Sequence, residues 1–99
     1  MSKCVVQAVW TVADENVDVA TRDREFKKYI VPGVQALPGF VQGIWARSAD
    51  GTRSHGAFVF DDRRGAEALI DQMESNASRS DAVGVRLQSL ETLDVTVSI

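Results

Sequence analysis

Apolar residues alternate along the start of the chain. Cys4, Val6, Ala8, Trp10 and Val12 share one phase, and Val5, Gln7, Val9 and Thr11 share the other. Period-two alternation rich in Val, Trp and Thr predicts a strand over Lys3 to Val12. A polar connection, Ala13 to Asn16, comes next. A helix is expected to start near Asn16 or Asp18, either of which can cap it. Val19, Phe26 and Ile30 then form one helical stripe with Tyr29 at its edge, while Arg22, Arg24, Lys27 and Lys28 face solvent. Pro32 disfavours helical geometry at Val31 and predicts a kink or break there, with a last turn running on to Leu37.

Beyond Pro38-Gly39 the pattern returns to strand. Phe40 to Ser48 and Arg53 to Asp61 flank Asp50-Gly51, a hairpin signal whose two central residues would both take positive φ. Asp61 or Asp62 can cap a second helix. Ala66, Leu69, Ile70, Met73 and Ala77 recur at helical spacing, with Glu67, Asp71 and Glu74 off that stripe. Ser75 to Asp81 is small and polar and reads as a loop. Gly84 to Ile99 predicts a long final strand, with Val85, Leu87, Leu93, Val95 and Val97 in one phase and Leu90 in the other.

The expected order is strand, helix, strand, strand, helix, strand. Two β-α-β units around a central hairpin give an α+β, ferredoxin-like βαββαβ arrangement: a four-stranded antiparallel sheet with two helices on one face. One domain spans residues 1–99. The other face of such a sheet should be polar if it met water. Yet the first three strands are apolar on both sides, as in Val6 and Val9, Ile44 and Trp45, Val59 and Phe60. A homodimer packed through the sheet face is therefore expected.

Composition changes this picture little. The net charge is −3, and the Lys and Arg residues are scattered. No basic stripe points to nucleic acid or an anionic membrane. No apolar run reaches the about 18 residues of a membrane span, and Met1 to Trp10 lacks a signal-peptide layout. The lone Cys4 fits a reducing compartment, and a cytoplasmic location is expected. Asn76-Ala77-Ser78 matches a glycosylation triplet, read as chance without a secretory signal.

The hairpin carries the candidate chemistry. A turn centred on Asp50-Gly51 sets Ala46 opposite His55, Trp45 opposite Gly56 and Gly43 opposite Phe58. One face then holds Val41, Gly43, Trp45, Arg47, Gly56, Phe58 and Phe60, with aromatics alternating with glycines. This pattern has two readings. The aromatics line a pocket for a flat, largely apolar molecule, or they pack over the glycines and fill the core, which is the commoner use of such rings.

Pro38-Gly39-Phe40 after the first helix, the strand bearing Trp45, the run Phe58-Val59-Phe60-Asp61-Asp62 before the second helix and the long closing strand together resemble the antibiotic biosynthesis monooxygenase-like group. The resemblance covers nearly the whole chain. It implies a dimeric α+β barrel with a pocket between sheet and helices in each subunit. That superfamily includes cofactor-independent oxygenases of polycyclic aromatics, haem-degrading enzymes and cyclases, so fold does not settle function. The oxygenase and haem-degrading branches often place an Asn on the first strand, where the nearest residue here is Gln7. They place a Trp at the end of the third strand, where this chain has Phe60. Haem-degrading members use a His in the second helix, and Arg63 to Ala77 contains none.

The candidate pocket residues are Gln7, Tyr29, Trp45, His55, Phe58 and Phe60, with Arg47 as a candidate contact for an anionic group. Gln7 could orient a carbonyl, or simply be hydrogen-bonded or wet. Tyr29 could reach the pocket with its hydroxyl, or close the edge of the core. His55, the single histidine, could shuttle a proton or bind haem iron, or be a surface residue beside a turn. Arg47 could hold an anion, or form a salt bridge at the rim. Cys4 lacks an activating neighbour, and Asp61-Asp62 reads as helix capping. One His and one Cys cannot build a usual metal site, so no metal and no cofactor are expected. The resulting expectation is a monooxygenase-like protein acting on an aromatic or polyketide-like small molecule. The alternative is a non-catalytic dimer that binds a ligand or a partner.

Overall fold

The computed structural model describes residues 3–12, 20, 23–24, 26–76 and 85–99, excluding the side chains of Phe26 and Tyr29. The expected helix start at Asn16 or Asp18, Val19 of the first stripe and Ala77 of the second lie outside them. The elements are β1 (Cys4–Val12), a π-helical turn (Phe26–Ile30) running into α1 (Val31–Gln35), β2 (Phe40–Arg47), β3 (Arg53–Phe60), α2 (Arg63–Ser75) and β4 (Val85–Asp94). The sheet order is β2-β3-β1-β4 and every neighbouring pair is antiparallel. This is the expected ferredoxin-like arrangement.

One face of the sheet carries the core. Cys4, Val6, Ala8 and Trp10 of β1, Phe58 and Phe60 of β3 and Val85 of β4 are buried together with Val34 of α1 and Ala66 and Leu69 of α2. Full burial of a side chain such as Leu69 stabilises the fold by about 2 kcal/mol. The first helix differs from its predicted stripe, since Ile30 is 37% exposed and Val34 is the buried anchor. The physical reason is the π-turn, whose wider winding rotates α1 away from the phase of a continuous α-helix. The break expected at Pro32 takes this form: α1 begins afresh at Val31, with the proline in its first turn, where a missing N–H costs no helical hydrogen bond.

The hairpin has the predicted register, with Ala46 opposite His55, Trp45 opposite Gly56 and Gly43 opposite Phe58. Its turn is different. Gly51 has φ of 75° but Asp50 does not take positive φ. The loop is longer than two residues: Gly51 N donates to Ser48 O at 2.9 Å and Ser48 N to Arg53 O at 2.9 Å. Lengthening the loop symmetrically about Asp50-Gly51 leaves the register unchanged. The Asp50 carboxylate accepts from Ser48 Oγ, Thr52 N and Thr52 Oγ1. Those hydrogen bonds, Thr52's first, hold its pKa well below the usual carboxylate range.

Two bulges correct the predicted faces. In β2 the register shifts between Phe40 and Gln42, so Phe40 joins Gly43 and Trp45 on the core face. Val41, expected there, is 47% exposed. In β4 the shift falls between the partners of Val9 and Trp10, which are Ser89 and Leu87. Gln88 is the extra residue, and its Nε2 donates to Thr11 Oγ1 at 3.1 Å. Leu87 and Leu90 therefore both pack against the core, and Leu93 turns to the opposite face. The strand ends at Asp94 rather than Ile99.

Pro38-Gly39-Phe40 and the run before α2 meet in space. Asp61 N donates to Gly39 O at 2.9 Å. Asp62 caps α2 by accepting from Arg64 N at 2.9 Å. Gly65 lies so close to the preceding loop that a Cβ there would overlap the Pro38 carbonyl oxygen. Backbone cannot yield as a flexible side chain can, so Gly65→Ala should destabilise the protein by at least about 2 kcal/mol in urea unfolding. An unchanged midpoint would contradict this close approach.

Candidate functional site

The middle of the core face is filled. Phe58 lies over Gly56 and Gly43, where an added Cβ would stand 2.7 Å and 3.0 Å from its ring. Trp45 meets Phe58 edge-on with ring centroids 4.8 Å apart, and Phe40 meets Phe60 in the same way at 5.8 Å. Phe58 and Phe60 are both 0% exposed. Here the glycines serve the packing, as in the second reading of the alternating pattern.

Open volume lies beyond Trp45, at the end of the sheet where β1 and β2 finish and β3 and β4 begin. A cleft of about 480 Å³ is lined there by Val12, Val31, Val85 and Trp45, and by the polar side chains of Asp23, Lys27, Arg47 and Ser54. β2 and β3 position its floor, since Arg47 lies opposite Ser54 in the ladder. The first helical segment supplies the opposite wall. Arg47 Nη2 donates to Asp23 Oδ1 at 2.6 Å, joining that segment to the sheet. Both side chains are exposed, at 38% and 53%, so the pair contributes at most about 1 kcal/mol to stability.

The predicted site residues fall into separate places. Trp45 and Arg47 line the cleft, and Arg47 also forms the anticipated salt bridge. Phe58 and Phe60 belong to the solid core behind it. Gln7 and His55 project from the opposite face of the sheet: their ladder neighbours Ala57, Val9 and Ala46 are out of phase with the buried strand residues. Gln7 is exposed and His55 half-buried. They do not share a pocket with Trp45, because strand side chains alternate between faces. Tyr29's side chain is outside the described residues. Cys4 is buried, and desolvation raises its thiol pKa, so it stays protonated. Among the described residues no group of three or more His, Cys, Asp or Glu converges. No described helix is long and apolar enough to cross a membrane.

Sequence reasoning missed Asp23, Lys27 and Ser54. The hairpin register would have found Ser54 opposite Arg47. Nothing local signals Asp23, which is 24 positions from Arg47 and reaches it through tertiary packing alone.

No family model and no curated protein matches the chain in sequence. Solved structures match its fold along the whole length. A dimeric ferredoxin-like protein from an uncultured marine organism aligns with a TM-score of 0.70 at 12% identity, covering 100% of both chains. A protein of unknown function from Nitrosomonas europaea gives 0.70 at 17% identity, covering 100% of this chain and 94% of that one. SnoaB from Streptomyces nogalater, a cofactor-independent oxygenase, gives 0.66 at 17% identity, covering 100% of this chain and 96% of its own. At these identities the likeness shows the fold, which is the ferredoxin-like arrangement expected from the residues.

If Phe58 is core rather than pocket wall, Phe58→Ala should cost about 3–5 kcal/mol in denaturant unfolding. A cost below about 1 kcal/mol would mean that its ring faces open space.

Proposed function

We propose that this chain forms a homodimer that acts on a flat aromatic or polyketide-like small molecule, bound in the cleft beside Trp45, in the manner of a cofactor-independent monooxygenase. The observation that carries this reading is the cleft. At about 480 Å³ it falls within the roughly 300–1,000 Å³ of small-molecule sites. Its apolar wall of Val12, Val31 and Val85 would strip water from a ring, and Trp45 offers an aromatic face. Ser54 and Arg47 would fix the orientation of the ring's oxygen substituents. The chemistry would be oxygen transfer to an electron-rich substrate that itself supplies the electrons. The fold shared with an oxygenase that needs no cofactor supports this class.

The homodimer rests on the second face of the sheet, where Ile44 is 55% and Leu93 42% exposed beside the half-buried Val5, Val9 and Val59. A second copy of the same face would bury them. A fold neighbour described as dimeric supports this arrangement.

A second reading, a binder without turnover, is favoured by one observation: Gln7 and His55, the candidates for proton transfer, project from the face opposite the cleft. Oxygen uptake with a panel of hydroxylated polycyclic aromatics separates the two. Turnover by the wild type that falls by about tenfold or more in a folded Trp45→Ala variant supports the enzyme. Binding without uptake supports the second reading. Uptake unchanged in Trp45→Ala would remove the cleft from the chemistry.

A further inference from the structure

The geometry points to an anion-exchange latch at the cleft: the Arg47–Asp23 pair opens to a ligand carboxylate, which selects aromatic acids over neutral aromatics. This deepens the proposed function and rests on its reading of the cleft as the ligand site. Among the described residues three ionic side chains line that cleft, Arg47, Lys27 and Asp23, so that the described cations exceed the described anion by one. Arg47 is bound to Asp23. Lys27 has no ion-pair partner among the described residues. A ring resting on Trp45 would hold a carboxylate within reach of Arg47, because both side chains project from β2 to the same face, two positions apart.

Asp23 then acts as an internal stand-in for the ligand's anionic group. It satisfies the Arg47 guanidinium while the cleft is empty. Because both partners are solvent-exposed, the pair is weak enough to exchange. A carboxylate presents the same planar pair of oxygens to the guanidinium fork. Lys27 supplies the positive charge left over once Asp23 is displaced toward solvent. A neutral ring gains neither contact and leaves the latch shut, so charge at the mouth sets specificity while the apolar wall sets affinity.

The test is calorimetric titration of the full chain with 2-naphthoate and its neutral isostere 2-naphthamide. Asp23→Asn removes the competing anion and should tighten naphthoate binding by about threefold, with naphthamide unchanged. Arg47→Gln should bring naphthoate down to the affinity of naphthamide. The wild-type preference for naphthoate should shrink as salt is raised. Equal affinity for the two probes in the wild type and both variants would overturn the latch while leaving the cleft as a binding site. Naphthoate binding weakened by Asp23→Asn would also overturn it. Failure of both probes to bind would overturn the cleft reading itself and the latch with it.

Discussion

The Phe58 ring, laid across Gly56 and Gly43, decides where this fold can have a site. It occupies the centre of the helix-covered face and is bounded edge-on by Trp45. Side chains at either glycine would collide with it, so the sheet is kept bare where the ring needs room. The interior is therefore solid in the middle. Open volume is displaced to the far end of β2, where Trp45 turns from core residue to cleft wall and Arg47 extends beyond it into solvent. The same strand thus supplies packing at Gly43 and a cleft-lining guanidinium at Arg47.

The two faces of the sheet divide the work. On one, helices and strands close over the core and leave the cleft at its edge. On the other, Ile44, Val5, Val9, Val59 and Leu93 make an apolar field in which Gln7 and His55 stand. A residue's face is set by its parity in the strand and cannot be altered without changing the register. Gln7 and His55 consequently cannot serve the cleft of their own chain, however close in sequence His55 lies to Phe58.

Much of this was legible in the residues. Element order, sheet class and the pairing of Trp45 with Gly56 came from periodicity and the Asp50-Gly51 centre. Asp62 as helix cap, and Ala66 and Leu69 as the α2 core stripe, came from local rules that tertiary packing did not override. The changed faces of β2 and β4 share one cause: each strand takes in a single extra residue opposite its partner, Val41 in β2 and Gln88 in β4. The π-turn shifts the phase of α1 within its own segment, and the longer loop at Asp50-Gly51 and the end of β4 at Asp94 are departures of another kind. Leu87 and Leu90 stand three apart, an odd spacing that only a bulge can bring to one face. That signal was present, but choosing it over Leu93 required Thr11 to receive Gln88. The cleft was legible only in half, because its sheet side is fixed by the hairpin and its helix side depends on where the π-turn leaves Asp23 and Lys27.

The second face of the sheet matters most for the whole molecule, since an exposed apolar field of this kind marks an interaction surface. Native mass spectrometry of freshly purified protein at micromolar concentration tests that surface most directly. A mass of two chains is the expected result. A uniform single-chain mass would contradict it and would mean that the exposed Ile44 and Leu93 face water.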